Sequence, residues 1–267
     1  MLGRAVELYP VRLHGVVVLS THFHLLIAPE SVDQMSGFMQ HLTNNLSREV
    51  GRLHDWPGPM FARRYTSIPV SDEPGAQIAR MEYLLSNGCK EGLVLSPRDW
   101  PGVQSAEALA DGVPLVGEWI DRTAYRSARN KDRNVSIRQF TERYEVHLEP
   151  LPCWKHLAGA VWRARVADLV EEIEKKTLKM HHGEGTVPLG SRAVRRVHPH
   201  RKPSYESRSP RPMVHALTRR VRDEMIAAYR EFEVAYRHAS ARFRSGEWSV
   251  TFPPGTWKPH LLVPGPG

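Results

Sequence analysis

The sequence has few cysteines and no long apolar segment, and both shortages restrict what the protein can be. Two cysteines among 267 residues, Cys89 and Cys153, cannot form a disulfide framework and are typical of a reducing compartment. Apolar runs such as residues 16–19 and 25–28 are far too short to cross a bilayer. The first residues lack the basic and then apolar order of an export signal. The sequence therefore predicts a cytoplasmic protein without membrane segments.

Basic residues, in contrast, are abundant and unevenly distributed. The 37 Lys and Arg outnumber the 29 Asp and Glu, so the formal net charge is +8 and the pI is about 9.7. Residues 1–103 hold 9 Lys and Arg against 10 Asp and Glu, whereas residues 104–267 hold 28 against 19. A polyanionic partner is expected, and the second part of the chain would neutralise it.

Three strands are predicted in the first part of the chain. Residues 11–19 and 22–28 are rich in β-branched and apolar side chains, and a short connection between them favours an antiparallel pair. Residues 61–70 alternate well enough to predict a third strand.

Two helices are predicted beside these strands. The first covers residues 33–53 with Asp33 as its cap, and the second is capped by Asp72, opens at Pro74 and closes at Asn87. Helices packed on one side of an antiparallel sheet would give an α+β sandwich.

Two histidines share one face of the second predicted strand. His22 and His24 flank Phe23, and residues two apart in a strand project from the same side. Two neutral imidazoles so placed are natural ligands for a divalent metal ion. In a chain with 14 histidines they could also be ordinary surface or core residues. Their place in a hydrophobic hairpin favours the metal site.

Tyr83 and Asn87 stand four residues apart, so they share a face of the second predicted helix. A tyrosine hydroxyl can attack phosphorus when a metal polarises the phosphodiester, and an amide oxygen can complete the metal shell. Taken alone, the pair is more typical of a packing tyrosine followed by a helix terminator.

Four motifs, in order, resemble the HUH nucleases, and most of all the REP-associated tyrosine transposases. The histidine pair is followed by Leu-Leu, residues 38–40 read Phe-Met-Gln, and residues 64–67 read Arg-Tyr-Thr-Ser. The spacing Tyr83 to Asn87 comes last, and residues 90–94 read Lys-Glu-Gly-Leu-Val. The resemblance covers about the first 103 residues.

This resemblance implies a ferredoxin-like HUH sandwich with an antiparallel sheet, acting as a metal-dependent transposase. His22, His24 and Asn87 match the metal ligands, Tyr83 matches the nucleophile, and Mg²⁺ or Mn²⁺ is the expected ion. Tyr83 would attack single-stranded DNA beside a hairpin or palindromic repeat, leaving a 5′-phosphotyrosine link and a free 3′-hydroxyl. Another 3′-hydroxyl would reverse the step. Whether the protein is a monomer or a homodimer stays open.

The resemblance also predicts that the domain at residues 1–103 is N-terminally truncated. The family opens with a strand and a helix before the counterpart of the strand predicted here from residue 11, but in this sequence only residues 1–8 are left for them. The missing strand would lie inside the sheet, so its loss would leave unpaired edges. Gly88 replaces the family's usual proline at little cost, because glycine also ends a helix.

Residues 104–267 are predicted to form a basic, mainly helical extension. Helices are expected over residues 154–180 and 212–243. The second helix would bury an apolar stripe of Leu217, Val221, Met225, Phe232, Tyr236 and Phe243. Exposed bases could stack on Trp119, Trp154, Trp162, Trp248 or Trp257, although packing is the commoner role of tryptophan.

Residues 192–202, called here the basic segment, carry cations and no acid. We interpret the segment as a contact for DNA phosphates, and a solvated loop is an equally good interpretation. His198 and His200 form a second His-x-His pair, but Pro199 predicts a loop there rather than a metal site. The candidate phosphate contacts are Arg195, Arg196, Arg201 and Lys202.

Two other functions fit parts of the pattern. A catalytically silent, domesticated nucleic-acid-binding protein on the same fold is favoured by the truncated start. An RNA-binding sheet would have a similar sandwich, but it requires exposed aromatic residues on adjacent strands, and Phe23 alone is thin support. The presence of all four motif residues (His22, His24, Tyr83 and Asn87) favours the enzyme.

Overall fold

The computed structural model describes residues 1–61, 63–201 and 212–259, and these contain helices and two antiparallel two-stranded sheets. The α+β class is thereby confirmed, and the ferredoxin-like arrangement stays a prediction. The helices are α1 (Leu2–Leu8), α2 (Val32–His54), α3 (Pro74–Leu85), α4 (Asn87–Lys90), α5 (Ala106–Asp111), α6 (Arg122–Lys131), α7 (Gly159–Glu184), α8 (Ser191–Arg196) and α9 (Arg219–Arg244). The strands are β1 (Arg12–Val18), β2 (Phe23–Ala28), β3 (Leu115–Ile120) and β4 (Thr141–Val146).

Strands β1 and β2 form the predicted hairpin, with a bulge between Leu13 and Gly15. The outer edge of β1 is paired as well, because the Val18 amide donates to the Val103 carbonyl (2.9 Å) and the Ser105 amide to the Val16 carbonyl (3.1 Å). Within the described part of the chain, no strand pairs with the outer edge of β2. The histidine-bearing strand therefore lies at an edge.

The third strand predicted at residues 61–70 is wrong. Apart from Ala62, which is outside the described residues, this stretch forms no strand, and only Val70 makes a single bridge, to His215. The His215 amide donates to the Pro69 carbonyl (2.8 Å), and the Ser71 amide donates to the His215 carbonyl (2.8 Å). Alternation alone does not make a strand when no neighbouring strand supplies hydrogen bonds.

The helices lie on both faces of the β1–β2 hairpin, so the expectation of helices on one side is also wrong. Phe23, Leu25 and Ile27 pack into a cluster formed with α1 and α2. Leu26, on the opposite face, packs into the main core with α3. This alternation along β2 places His24 on the α3 side.

Two helix starts differ from the prediction because other residues occupy the N-cap positions. Ser31, rather than Asp33, caps α2, and its hydroxyl accepts from the Gln34 amide (3.1 Å). Glu73, rather than Asp72, precedes α3. Asn87 begins the short helix α4 instead of ending α3, so the two helices continue almost without a break.

The extension is not only helical, since β3 and β4 form a hairpin that the sequence did not predict. Its α7 begins later than predicted because Trp154 belongs to a separate 3₁₀ turn. Side chains of α7 join those of α3 in one core, which spans residues before and after 103. No helix in the described ranges is long and apolar enough to span a membrane.

Helix α9 also starts later than predicted, and its expected buried stripe is wrong. Leu217 is 66% exposed and Phe232 is 41% exposed, whereas Phe243 is buried. The residues before α9 are fixed by Glu73, whose carboxylate accepts from the Leu217 amide (2.8 Å) and the Thr218 hydroxyl (2.7 Å). These bonds hold residues 217–218 against the start of α3.

Candidate metal and nucleophile site

His22, immediately before β2, and His24, within it, lie next to each other as predicted. Their ring centroids are 4.9 Å apart and the rings meet edge to face. The Thr21 hydroxyl and His22 Nδ1 share a hydrogen bond of 2.9 Å, which leaves His22 Nε2 available. His24 Nε2 is buried and has no hydrogen-bond partner among the described residues. A buried ring nitrogen without a partner is costly unless a ligand completes it.

Both imidazoles are held in the neutral form at pH 7. Burial, then the neighbouring His22, then the charge of Lys90 lower the pKa of His24 to about 4. Desolvation and then Lys90 also lower the pKa of His22. Neutral imidazole is the form that binds metal ions, so the pair has the chemistry of a ligand set.

Tyr83 lies directly beside this pair. The Tyr83 and His24 ring centroids are 5.7 Å apart, with the planes nearly perpendicular. Tyr83 is 41% exposed, whereas its helix neighbours Leu84 and Leu85 are buried in the main core. Helix α3 therefore anchors one face in the core and presents the tyrosine on the other, next to the histidines.

Asn87 is fixed by the end of the same helix. It is 2% exposed, and its amide nitrogen donates to the Tyr83 carbonyl (2.8 Å) and the Leu84 carbonyl (3.2 Å). Carbonyls accept only, so the amide nitrogen must face them, and the amide oxygen is the atom turned elsewhere. Asn87 thus has a structural role in the helix end, and its oxygen is the atom that could serve as a ligand.

Two cations near the tyrosine were not identified as site residues from the sequence. Lys90 Nζ lies 3.6 Å from the Tyr83 ring centroid, and Arg80 Cζ lies 5.2 Å from it on the same helix. The signal for Arg80 was its spacing, three residues before Tyr83 in a helix. Lys90 was part of the matched motif, but nothing in the pattern assigned it a contact.

The predicted phosphate contacts lie in and after α8, on the protein surface. Arg195, Arg196 and Arg201 are exposed and form no ion pair with other described residues, and Lys202 lies outside the described residues. His198 and His200 lie in a loop after α8, which confirms the loop prediction.

The residues just before the basic segment are joined to the chain that follows Lys90. The Leu189 amide donates to the Gly92 carbonyl (3.0 Å), and the Gly190 amide donates to the Leu93 carbonyl (2.9 Å). The segment therefore begins beside the loop that ends the tyrosine motif.

Within residues 1–61, 63–201 and 212–259, no group of three or more His, Cys, Asp and Glu side chains is arranged to hold a metal. The histidine pair would therefore need an amide, water or substrate oxygen to complete a shell. Comparison with family models, curated proteins and solved structures gives no match for this chain. The functional assignment must rest on the site itself.

Proposed function

We propose that the protein is a metal-dependent transposase that cleaves single-stranded DNA and transfers the strand through a 5′-phosphotyrosine intermediate. Tyr83 is the nucleophile, and His22, His24 and Asn87 are the metal ligands. The observation that carries the proposal is the contact between the His24 and Tyr83 rings, with centroids 5.7 Å apart. Two motifs 59 residues apart in the sequence, at His24 and Tyr83, meet where the proposed chemistry needs them.

The proposed reaction exchanges one phosphodiester for another. The Tyr83 oxygen forms a bond to phosphorus while the bond from phosphorus to the 3′ oxygen breaks, and the phenolic proton is passed to the leaving oxygen. The number of phosphodiester bonds is unchanged, so a second 3′-hydroxyl can reverse the step without an external energy source. A tyrosine on a rigid helix favours such a transfer because its position is fixed before DNA binds.

The residues around Tyr83 fit a divalent ion. Two adjacent neutral imidazoles, one with an unpartnered buried nitrogen, can bind Mn²⁺, and Mg²⁺ would depend more on the oxygen ligands that complete the shell. The ion, when bound, supplies Lewis-acid polarisation of the phosphate. Lys90 and Arg80 supply positive charge around the tyrosine, where negative charge develops during the attack.

A second function is favoured by one specific observation. The burial of Asn87 and its two hydrogen bonds to helix carbonyls are sufficient to explain that residue structurally. A catalytically silent nucleic-acid-binding protein would keep this helix end and the basic extension, and would not need the tyrosine hydroxyl. The RNA-binding sheet has less support, because Phe23 packs against Phe61 and the α2 cluster.

The test is cleavage of a single strand that carries a hairpin, copied from the DNA that flanks the protein's own gene. With Mn²⁺ present, the upstream fragment should end in a 3′-hydroxyl that a DNA polymerase can extend. EDTA should abolish cleavage. DNA binding without cleavage under any divalent ion would favour the catalytically silent function instead. Cleavage that persists in EDTA would exclude a role for a metal ion in the reaction.

A further inference from the structure

Three aromatic rings meet at the end of α2, away from the tyrosine site. Trp56, in the turn after α2, has its ring centroid 4.9 Å from that of His200, and the two planes are inclined by 40°. The ring of His198 lies 5.4 Å from His200. We call Trp56, His198 and His200 the aromatic platform. The sequence did not single out Trp56 as a residue that stacks bases.

The platform is held in place by hydrogen bonds. His200 Nε2 donates to the His54 carbonyl at 2.9 Å, so the last residue of α2 fixes this ring. The His200 amide donates to His198 Nδ1 at 3.2 Å, which fixes the second ring. The two imidazole rings are therefore positioned before any ligand binds, and a preformed surface loses little entropy on binding.

Core packing does not account for Trp56. Its side chain is 36% exposed, and it belongs to none of the clusters of buried residues in the described part of the chain. The two histidines are also poorly placed as metal ligands, because His198 Nδ1 already accepts from the His200 amide and His200 Nε2 already donates to the His54 carbonyl. An exposed indole beside His200, whose ring in turn contacts that of His198, is a surface on which a planar ligand can stack.

The charges beside the platform indicate which planar ligand it is. Arg195 and Arg196 precede the histidines, Arg201 follows them, and all three are exposed without an ion pair among the described residues. In α9, by contrast, Arg219, Arg220 and other arginines are paired with acids of the same helix. Cations on both sides of these rings, with no acidic partner in the part of the chain that the structure describes, match a strand whose bases alternate with phosphates.

We propose that the aromatic platform binds a base of single-stranded DNA by stacking on Trp56, while the neighbouring arginines bind the flanking phosphates. This proposal deepens the proposed function, on which it rests, by naming a place where the strand is held outside the tyrosine site. The basic segment begins at the loop after Lys90 and reaches the end of α2 at His200. One strand can therefore follow the segment between the two places.

The test is the affinity for a labelled twenty-nucleotide oligothymidylate, measured by fluorescence anisotropy without divalent ions. Stacking of one base on an aromatic side chain corresponds to roughly five- to 150-fold in affinity. Trp56→Ala should therefore weaken binding by about that factor, and Trp56→Phe should retain most of the affinity. Tyr229→Ala, which removes an exposed aromatic side chain elsewhere, should leave affinity unchanged.

An abasic strand of the same length separates stacking from a structural role. It keeps the phosphates but has no bases, so wild type and Trp56→Ala should bind it equally. If Trp56→Ala loses affinity equally for both strands, Trp56 only supports the fold. If it loses affinity for neither strand, stacking on Trp56 is excluded. A loss confined to an oligouridylate would assign the platform to RNA and overturn the DNA proposal.

These readouts contain no cleavage step, so they are distinguishable from the test of the proposed function. A chain that binds with the expected Trp56 dependence but does not cleave supports the platform and contradicts the transposase. A chain that cleaves without any Trp56 dependence contradicts only the platform.

Discussion

The ammonium group of Lys90 lies over the ring of Tyr83, 3.6 Å from its centroid. After burial, the charge of Lys90 is also among the causes that lower the pKa values of His22 and His24. One cation therefore acts on the proposed nucleophile and on both proposed histidine ligands. It favours negative charge at the tyrosine and phosphate, and it opposes positive charge at the histidines.

Lys90→Met should have opposite effects on metal binding and on cleavage. Loss of the charge should tighten Mn²⁺ binding a few-fold, because a repulsive neighbour of the ion is removed. Cleavage should slow about ten-fold or more, because a charge beside the reacting phosphate is lost. Calorimetry with Mn²⁺ and a cleavage time course measure the two effects.

Lys176→Met is the matched control for Lys90, since Lys176 pairs with Glu82 on the neighbouring helix surface. It should change neither quantity appreciably. Weaker Mn²⁺ binding in Lys90→Met would contradict the assignment of the histidines as metal ligands near this charge.

The metal assignment itself predicts that His24→Ala and His22→Ala each abolish measurable Mn²⁺ binding. Each variant removes one of two imidazole ligands, and an ion held by a single imidazole is retained poorly. Asn87→Ala should slow cleavage with Mg²⁺ more than cleavage with Mn²⁺. Electron paramagnetic resonance of titrated Mn²⁺ gives the number of bound ions. His198→Ala, in the second His-x-His pair, should bind Mn²⁺ like wild type. A loss of Mn²⁺ binding in this variant would place the metal site at the second pair instead.

The basic segment predicts the salt dependence of DNA binding. Each phosphate contact contributes about −0.7 to the slope of log affinity against log salt for a single strand. Replacing Arg195, Arg196 and Arg201 together by Ala should flatten that slope by up to ~2. The same replacement of Arg219, Arg220 and Arg222 removes equal charge from a helix whose arginines are paired. This second replacement should flatten the slope less than the first. A larger flattening from the α9 replacement would assign the phosphate contacts to α9.

Buried histidines predict that the fold loses stability in acid. Desolvation is the main cause that lowers the pKa of His14, which is 3% exposed and whose Nδ1 donates to the Glu149 carbonyl (3.2 Å). Below the ordinary histidine value of 6.5, the unfolded chain binds protons that the folded chain excludes. The free energy of unfolding should therefore be level above that pH and fall below it.

Urea unfolding in EDTA at a series of pH values measures this loss. His14 should account for up to about 1 kcal/mol per pH unit below its ordinary pKa. His14→Gln should therefore reduce the slope, and His147→Gln, at an exposed position, should not. A stability that rises as the pH falls would contradict the burial of His14.

The parts of the fold that could be predicted from sequence are those with a local periodic signal. The β1–β2 hairpin and helices α2 and α3 follow from period-two and period-3.6 patterns in short stretches. Residues 61–70 carry a similar pattern, but a strand also needs a partner, and Val70 finds only His215. The β3–β4 hairpin was missed because helix α6 lies between its strands, so no tight-turn signal marks it.

The candidate site also combines features that the sequence predicts with features that only the tertiary fold determines. The neighbouring positions of His22 and His24 follow from the strand period, and their approach to Tyr83 was implied only by the family resemblance. The contacts of Lys90 with the tyrosine and of Trp56 with His200 join residues whose relation depends on the tertiary fold. No spacing rule along the sequence predicts such contacts.

The central claim is that Tyr83 becomes covalently attached to DNA. The chain should be incubated with Mn²⁺ and a hairpin-bearing single strand labelled at its 3′ end, because the 5′-phosphotyrosine link retains the downstream fragment. A labelled band at the mass of the protein plus that fragment is expected on a denaturing gel, and mass spectrometry should locate the nucleotide on Tyr83. Tyr83→Phe should lose the band while still binding DNA, and Tyr125→Phe should keep it. An adduct that persists in Tyr83→Phe, or that maps to another residue, would contradict the account.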